Sequence, residues 1–563
     1  MESCQFAESA STIPELLFRR MTESPETPCL FSRSDSGAWH GMTWREFWLA
    51  AAAGAKTLRG HGLRSGDSVA ILARTRREWM IAEHAALLAG LMVVGVDTHA
   101  PEDHIGHVLR HCGAKALIAD TGKNLDKVPS DIRKALQLTV TMDVCEPSAD
   151  AMAWLAFTGA TLDAGVGEPV FPDAKSSATL IYTSGTTGTP KAIEFTHAHL
   201  MAACRSIVRL FPEVDHRDRT VCWLPMSHLF QRMLNLAAVA KGGPIYFLDD
   251  PRQMMVQLRE IKPAVLIGVP RFFEKVHEGV QQKTRAFRWV PRVLMRPLLA
   301  GLVKRMFGGR IKFLITGSAP CPAAVHEFFG DAGLPLFEAY GISENAVPMA
   351  ANRFGACRRG SVGTLLDENE IRFEVDNEIL VRGPGVFGGY WRDGESRDCF
   401  TEDGFYKTGD YGMLDGDGYL HLRGRKSDLI KTSTGRRISP AKLESMFQAS
   451  PCLEHAVVVG NGRKHLAALL TLNRAWLARK LKCAPSSVTL EAWMKAEGAQ
   501  KEVFQEMDRI NMQLPEYERI QSFTILPRSF SMEDGELTPT LKVKRRALEE
   551  KYRPLVDELY KAL

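Results

Sequence analysis

Paired cysteines are missing from this chain of 563 residues. Its 11 cysteines are scattered, with no Cys-x-x-Cys pair and no metal-ligand spacing, which argues against a disulfide framework or a zinc ribbon and for a reducing compartment. Long apolar runs are missing too. The greasiest stretch, Ala85 to Val96, follows Glu83 and His84 and has about half the length a membrane span needs. Charge of one sign is not concentrated. Lys plus Arg number 71 and Asp plus Glu 66, a net charge of +5, so coating nucleic acid is excluded as the main task. The opening MESCQFAESASTIPELLFRR carries acids and no apolar segment, unlike a secretory signal. A cytoplasmic enzyme is expected.

What is present is the composition of a globular protein, 45% hydrophobic and 24% charged, with chain enough for several cores. Short β-rich runs alternate with helical patterns. Strands are expected at Ser68–Ala73, Lys115–Asp120, Ala178–Tyr182, Ala264–Val269 and Ile311–Thr316, and helices at Arg77–Leu91 and His197–Leu210. This alternation implies βα units with largely parallel sheets. Nearly continuous apolar runs such as AVLIGV fit strands covered on both faces.

From about Gly360 the pattern changes. IRFEVDNEILVRGPGVFGGY reads as strand, turn and strand, with Asp376-Asn377 at the turn, and a Gly- and Asp-rich antiparallel region follows. After Arg425 a second βα pattern begins, including a helix N-capped by Ser439 with Pro440 at its first position. The end, Leu541 to Leu563, reads as one charged amphipathic helix. The pattern predicts an α/β fold class: a large N-terminal domain (1–425) of stacked βα sheets plus a small antiparallel region, then a small α+β domain (426–563).

The most informative segment is LIYTSGTTGTPK at 180–191. Thr183, Ser184, Gly185, Thr186, Thr187 and Gly188 combine hydroxyl donors with glycines that let backbone amides approach an anion, and Lys191 adds a point charge. That suits a polyphosphate. It is not a Walker A loop, because the glycine spacing is too short and no Gly-Lys-Ser/Thr occurs. By composition alone, a mobile polar loop between a strand and a helix is the competing reading.

The ordered string resembles the signature loop of the adenylate-forming superfamily, which includes acyl-CoA synthetases. Seven further segments are similar to that family's motifs in the same order: LPMSHLFQR (224–232), TGSAP (316–320), YGISE (340–344), EILVRGPGVFGGYW (378–391), GFYKTGDYG (404–412), GRKSDLIKTSTGRRISPAKLE (424–444) and LTPTLKVKRR (537–546). The resemblance runs from about Met42 almost to the C-terminus.

The resemblance implies roles. Tyr340 and Gly341 would lie by the adenine, with Gly317, Ser318 and Ala319 offering thin walls. Glu344 would hold Mg²⁺ and Thr186 would stand near it, since a hard cation on phosphates wants oxygen ligands. Asp410 would accept the ribose hydroxyls, with Arg425 beside it. Lys542 would stabilise charge on the α-phosphate as a carboxylate attacks, a role served by a cation aimed at developing charge; Lys544 is its competitor. Many relatives have Ser-Gly before this lysine, where Thr540-Leu541 stands here. His228 would line the acyl site, although a lone histidine is more often structural. Ser427 occupies a hinge position, commonly Asp or Lys. Lys431, Gly435 and Arg437 belong to a loop that enters the site for the thiol step.

The implied activity is ATP-dependent: fatty acid to acyl-AMP, then transfer to coenzyme A. Alternatives are loading of a carrier protein's phosphopantetheine thiol, and a non-catalytic nucleotide- or lipid-binding relative. Residues 282–310 are basic, contain Phe287 and Trp289, and have no acid. They could lie on anionic lipid as a peripheral contact, or form a solvated hairpin.

Overall fold

The computed structural model describes residues 6–143, 151–159, 169–183, 190–248, 250–284, 292–392, 398–426, 428–448, 450–483, 497–531, 534–537 and 543–561. Ser184, Gly185, Thr186, Thr187, Gly188, Ser427 and Lys542 lie outside the described residues, as do residues 285–291 of the basic segment.

Strands β1 (Pro28–Arg33) and β2 (Trp39–Thr43) form an antiparallel pair at the start of the chain. The largest sheet follows. Its strands are β3 (Ser68–Leu72), β4 (Met92–Val96), β5 (Ala114–Ala119), β6 (Leu138–Thr141), β7 (Met152–Ala153), β8 (Ser177–Thr183) and β9 (Lys191–Thr196). They stand in the order β7-β6-β5-β3-β4-β8-β9, and only β8 and β9 pair antiparallel. Every residue of β3 and β4 is buried, which is why VAIL and MVVGV are unbroken apolar runs rather than alternating ones. Gly95 in β4 answers a close approach: a Cβ there would lie 2.7 Å from Ser227 Cα.

Strands β10 (Thr220–Cys222) and β11 (Ile245–Phe247) extend the first pair into the sheet β10-β11-β1-β2. Strands β12 (Val265–Gly268), β13 (Phe313–Gly317) and β14 (Leu336–Tyr340) are parallel, and β15 (Ala350–Ala351) and β16 (Thr364–Leu365) complete that sheet antiparallel. Next comes the expected antiparallel region: β17 (Glu370–Phe373), β18 (Glu378–Arg382), β19 (Tyr406–Leu414) and β20 (Leu420–Arg425). Asn377 takes φ 69° at the turn between the first two, a conformation Asn tolerates.

Beyond β20 the chain forms the hairpin β21 (Ile430–Lys431) and β22 (Arg437–Ile438), the helix Pro440–Gln448, and the sheet β23 (Leu453–Val459), β24 (Leu466–Leu472) and β25 (Ile520–Ile525). Ile430, Leu443, Phe447, Val458, Leu470 and Val503 bury one another in an apolar cluster drawn only from this part of the chain. At the junction, Gly424 has φ 123° and a Cβ there would meet Ser439 Oγ at 2.5 Å. The tail corrects the sequence reading. In place of one helix from Leu541 there are two, Arg545–Lys551 and Arg553–Leu559. The second has Pro554 as its second residue, whose ring fits a first turn but would break a continuing helix. Among the described residues no helix is long and apolar enough to cross a membrane.

Candidate active site

The hydroxyl-rich segment connects two antiparallel strands, not a strand and a helix. Thr183 at the end of β8 stands opposite Lys191 at the start of β9. The β8 end is held from the side by Tyr182, whose hydroxyl is 2.8 Å from His111 Nδ1 on the helix Glu102–Cys112. Beyond β9 the chain 386–391 is strapped on: Tyr390 bridges Ile193, and Trp391 N donates to Ala192 O at 2.8 Å.

That strap assembles a polar group. Lys191 Nζ lies 5.0 Å from the centre of the Tyr390 ring, within reach of a cation–π attraction. The Tyr390 hydroxyl donates to Glu344 Oε1 at 3.0 Å and lies 3.4 Å from the Tyr406 hydroxyl. Burial first, then the Glu344 charge, pushes both phenols well above their ordinary values. Both therefore stay protonated as donors. Glu344 is half-buried, and its backbone carbonyl accepts from Phe387 N at 2.9 Å.

A second group stands beside it. Tyr340 ends β14, and its hydroxyl donates to Asp410 Oδ2 at 2.7 Å. Asp410 on β19 is the cross-strand partner of Arg425 on β20, with 3.0 Å between Oδ1 and Nε. Asp410 is 5% exposed. Burial raises its pKa, and Arg425 and Tyr340 only partly offset this. Asp410, followed by the charges of Asp428 and Glu344, holds Arg425 above its ordinary value against burial, so the two groups share one electrostatic neighbourhood.

Gly317, Ser318 and Ala319 leave β13 next to the β14 end, since Gly317 pairs with Ala339. A Cβ on Gly317 would lie 3.0 Å from Ala339 O, and Ser318 has φ 67° and is exposed. Ala319 is half-buried and Gly341 exposed. TGSAP and YGISE thus meet at the carboxyl edge of one parallel sheet, where α/β proteins place ligands.

His228 directly precedes the helix Leu229–Lys241, and its side chain caps nothing there. Its neighbour Ser227 crosses β4 at Gly95. The rest of that motif is structural. Gln231 Oε1 accepts from the backbone of Trp223 and Leu224. Arg232 is buried, donating to Glu83 at 2.7 Å and to Thr179 on β8 at 2.9 Å, and lies 5.4 Å over Trp79. Sequence reasoning missed Glu83, Arg232, Tyr390 and Tyr406. The tyrosines stand inside segments already singled out, where their hydroxyls were the available signal.

Lys431, Gly435 and Arg437 gather on the β21–β22 hairpin, with Lys431 opposite Arg437 and Gly435 at φ 83° in the turn. Its backbone bonds run to the turn 460–463. In the tail, Leu537 bridges Val543 across the residues that include position 542. Lys544 lies close enough to His104, on the helix that follows β4, to influence its charge. Burial first, with His107 and Lys544, keeps His104 below its ordinary value against Asp97.

The sequence pattern of the AMP-binding enzymes matches residues 17–391, and that of the AMP-binding enzyme C-terminal domain matches 427–563. The chain belongs to the AMP-binding enzyme family. Among its relatives within the AMP-binding enzymes, the long-chain-fatty-acid–CoA ligase FadD15 of Mycobacterium bovis is 30% identical, covering 97% of each chain. The human long-chain-fatty-acid–CoA ligase ACSBG2 is 27% identical over 98% of this chain and 93% of its own. Among solved structures, the A-PCP didomain of a carboxylic acid reductase from Segniliparus rugosus, in complex with AMP, superposes with a TM-score of 0.83 at 20% identity, covering 99% of this chain and 83% of that one. The α/β architecture expected from the sequence is thus the AMP-binding enzyme fold.

Proposed function

We propose that the chain is an ATP-dependent long-chain fatty acid–CoA ligase. The supporting observation is the convergence of Lys191, Tyr390 and Glu344 with Tyr340, Asp410 and Arg425 around the end of the β8–β9 hairpin. In the first step the fatty carboxylate attacks the α-phosphorus of ATP, an acyl–phosphate bond forms, and pyrophosphate leaves. In the second, the thiol of coenzyme A attacks the acyl carbon and AMP leaves.

Thr183, Ser184, Gly185, Thr186, Thr187 and Gly188 grip the phosphates, and Lys191 neutralises them. Asp410 reads the ribose: a carboxylate has about four acceptor positions, and Tyr340 and Arg425 occupy two, leaving capacity for two hydroxyls. Gly317, Ser318, Ala319 and Gly341 wall the adenine. Among the described residues no cluster of three or more metal-ligating side chains occurs. A nucleotide-borne Mg²⁺ needs only one or two carboxylates, and Glu344, fixed by Tyr390, fits that need with Thr186 nearby. Bound there, Mg²⁺ would neutralise phosphate charge. Lys542 stabilises the adenylation transition state. His228 lines the acyl entry.

We assign residues 1–425 and 426–563 to two domains that alternate about a hinge at Ser427. One arrangement presents Lys542, and the other presents Lys431, Gly435 and Arg437 to the thiol step. Residues 282–310 serve as a peripheral membrane contact. In support, Lys304 and Arg305 line an open cleft of about 400 Å³ together with Arg259 and Lys262, and among the described residues none of the four forms an ion pair.

An ATP–pyrophosphate exchange panel over short, medium, long and aromatic acids tests the reading. Exchange with long acids, followed by AMP release on adding coenzyme A, is the expected result. Exchange with no acid at all overturns it, and AMP release only with a carrier protein reassigns the acceptor.

A further inference from the structure

The tail hairpin that leads to position 542 is gripped from one point. Glu536 is 1% exposed, and its carboxylate takes five donors. Arg528 Nη1 and Nη2 donate at 2.7 and 3.0 Å, the Tyr552 hydroxyl at 2.8 Å, Ser531 N at 3.1 Å and Lys551 Nζ at 2.9 Å. The backbone of the same residue closes the hairpin: its carbonyl accepts from Lys544 N at 2.9 Å, and its N–H donates to Ser531 O at 3.0 Å. The next pair along is the bridge Leu537–Val543, with Leu537 buried against the apolar cluster that contains Val457, Val459 and Leu548.

Glu536 therefore stands on the outgoing strand of the stem and holds the returning side twice, through its carbonyl to Lys544 N and through its carboxylate to the end of the helix Arg545–Lys551 and the Tyr552 that follows. Burial works to raise its pKa, but the bonds from Arg528, Lys551, Tyr552 and Ser531 outweigh this and lower it to about 2. The grip is ionised at any working pH.

The geometry points to Glu536 as a positioning residue for adenylation: it fixes the stem, Glu536–Leu537 against Val543–Lys544, that flanks the chain carrying position 542. This rests on the reading of Lys542 as the adenylation lysine. A charge aimed at a transition state acts only when its position is fixed in advance, and a misplacement of about 1 Å can cost about a hundredfold. A carboxylate with five donors, buried where a lone charge would be costly, supplies that fixity. The thiol step calls on the β21–β22 hairpin instead, which has its own bonds to the turn 460–463. A purely structural Glu536 would weaken both half-reactions together, because both need the folded C-terminal part.

The test separates the half-reactions in the full-length enzyme. In Glu536→Gln, pyrophosphate exchange is expected to fall about ten- to a hundredfold, while thiolysis of supplied acyl-AMP by coenzyme A stays within about twofold. Tyr552→Phe removes one of the five donors and keeps the core; a smaller loss confined to exchange is expected. That variant decides the matter if Glu536→Gln does not fold. Equal losses in both half-reactions, or unchanged exchange in folded variants, overturn the proposal. Lys542→Ala run in parallel tells the two claims apart. If it exchanges normally, the lysine reading fails and the positioning role with it. If it is silent while Glu536→Gln exchanges normally, only the positioning role fails.

Discussion

Asp410 and Arg425 face each other across β19 and β20 with 3.0 Å between Oδ1 and Nε, and the hydroxyl of Tyr340 reaches the other oxygen of the same carboxylate from a different sheet. The carboxylate is buried while the arginine side chain is 60% exposed. The carboxylate is therefore held from within, while the exposed guanidinium marks the side that faces outward. Asp410→Asn should raise the KM for ATP about ten- to a hundredfold, the effect of losing charged hydrogen bonds worth about 1.5–3 kcal/mol, with a smaller change in the KM for the acid. Steady-state kinetics with each substrate varied checks this.

The same residue sets a pH dependence. Burial raises the Asp410 pKa above the ordinary carboxylate value. Its contribution to folding stability is therefore present at low pH and lost as pH rises through the raised value, whereas the proposed contact to the ribose needs the ionised form. The KM for ATP should begin to climb, as pH falls, at a higher pH than an ordinary carboxylate would give. A KM–pH profile of the unmodified enzyme in which ATP binding holds down to the ordinary carboxylate range would contradict it.

Tyr390→Phe keeps the ring beneath Lys191 and deletes the bond to Glu344. The loss of one such bond, about 0.5–1.5 kcal/mol, should lower kcat about three- to tenfold and raise the Mg²⁺ concentration needed for half-maximal rate. Tyr390→Ala also removes the cation–π contact and should cost more. A magnesium titration of adenylation distinguishes the two variants.

Arg232→Met should destabilise the protein by about 3–5 kcal/mol, because it strands the buried Glu83 carboxylate without its partner. Adding Glu83→Leu should recover most of that loss, since replacing a buried pair with apolar groups is often neutral. Denaturant unfolding of the wild type, the single and the double variant reads the cycle directly.

Lys304→Glu with Arg305→Glu reverses two cations at the open cleft. Binding to vesicles containing anionic lipid should weaken by at least about tenfold, at about 1 kcal/mol per basic residue near the surface, while turnover on a short soluble acid holds. Co-sedimentation that is unchanged in the variant would remove the membrane role from this segment.

Much of the fold was legible in the chain because buried parallel strands leave an unmistakable trace: the runs VAIL at 69–72 and AVLIGV at 264–269 have no polar face to show. The turn at Asp376-Asn377 was readable because few residues accept that backbone conformation. The tail was misread because a charged amphipathic pattern continues across Tyr552, while the break depends on a single proline. The site was legible as segments but not as contacts. Nothing local in YGISE or GFYKTGD indicates that Tyr340 donates to Asp410, seventy positions away. The Glu83–Arg232 pair spans 149 positions, and each residue alone resembles an ordinary surface charge.

The amino-acid sequence by itself determined the chemical inventory, a hydroxyl- and glycine-rich turn with carboxylates and lysines in a set order, because motif spacing and apolar periodicity are local properties of a chain. Only the tertiary structure decided that two tyrosines orient the carboxylates and that one buried glutamate holds the stem of the tail. Those are distances between remote residues, and they are set by how the sheets pack.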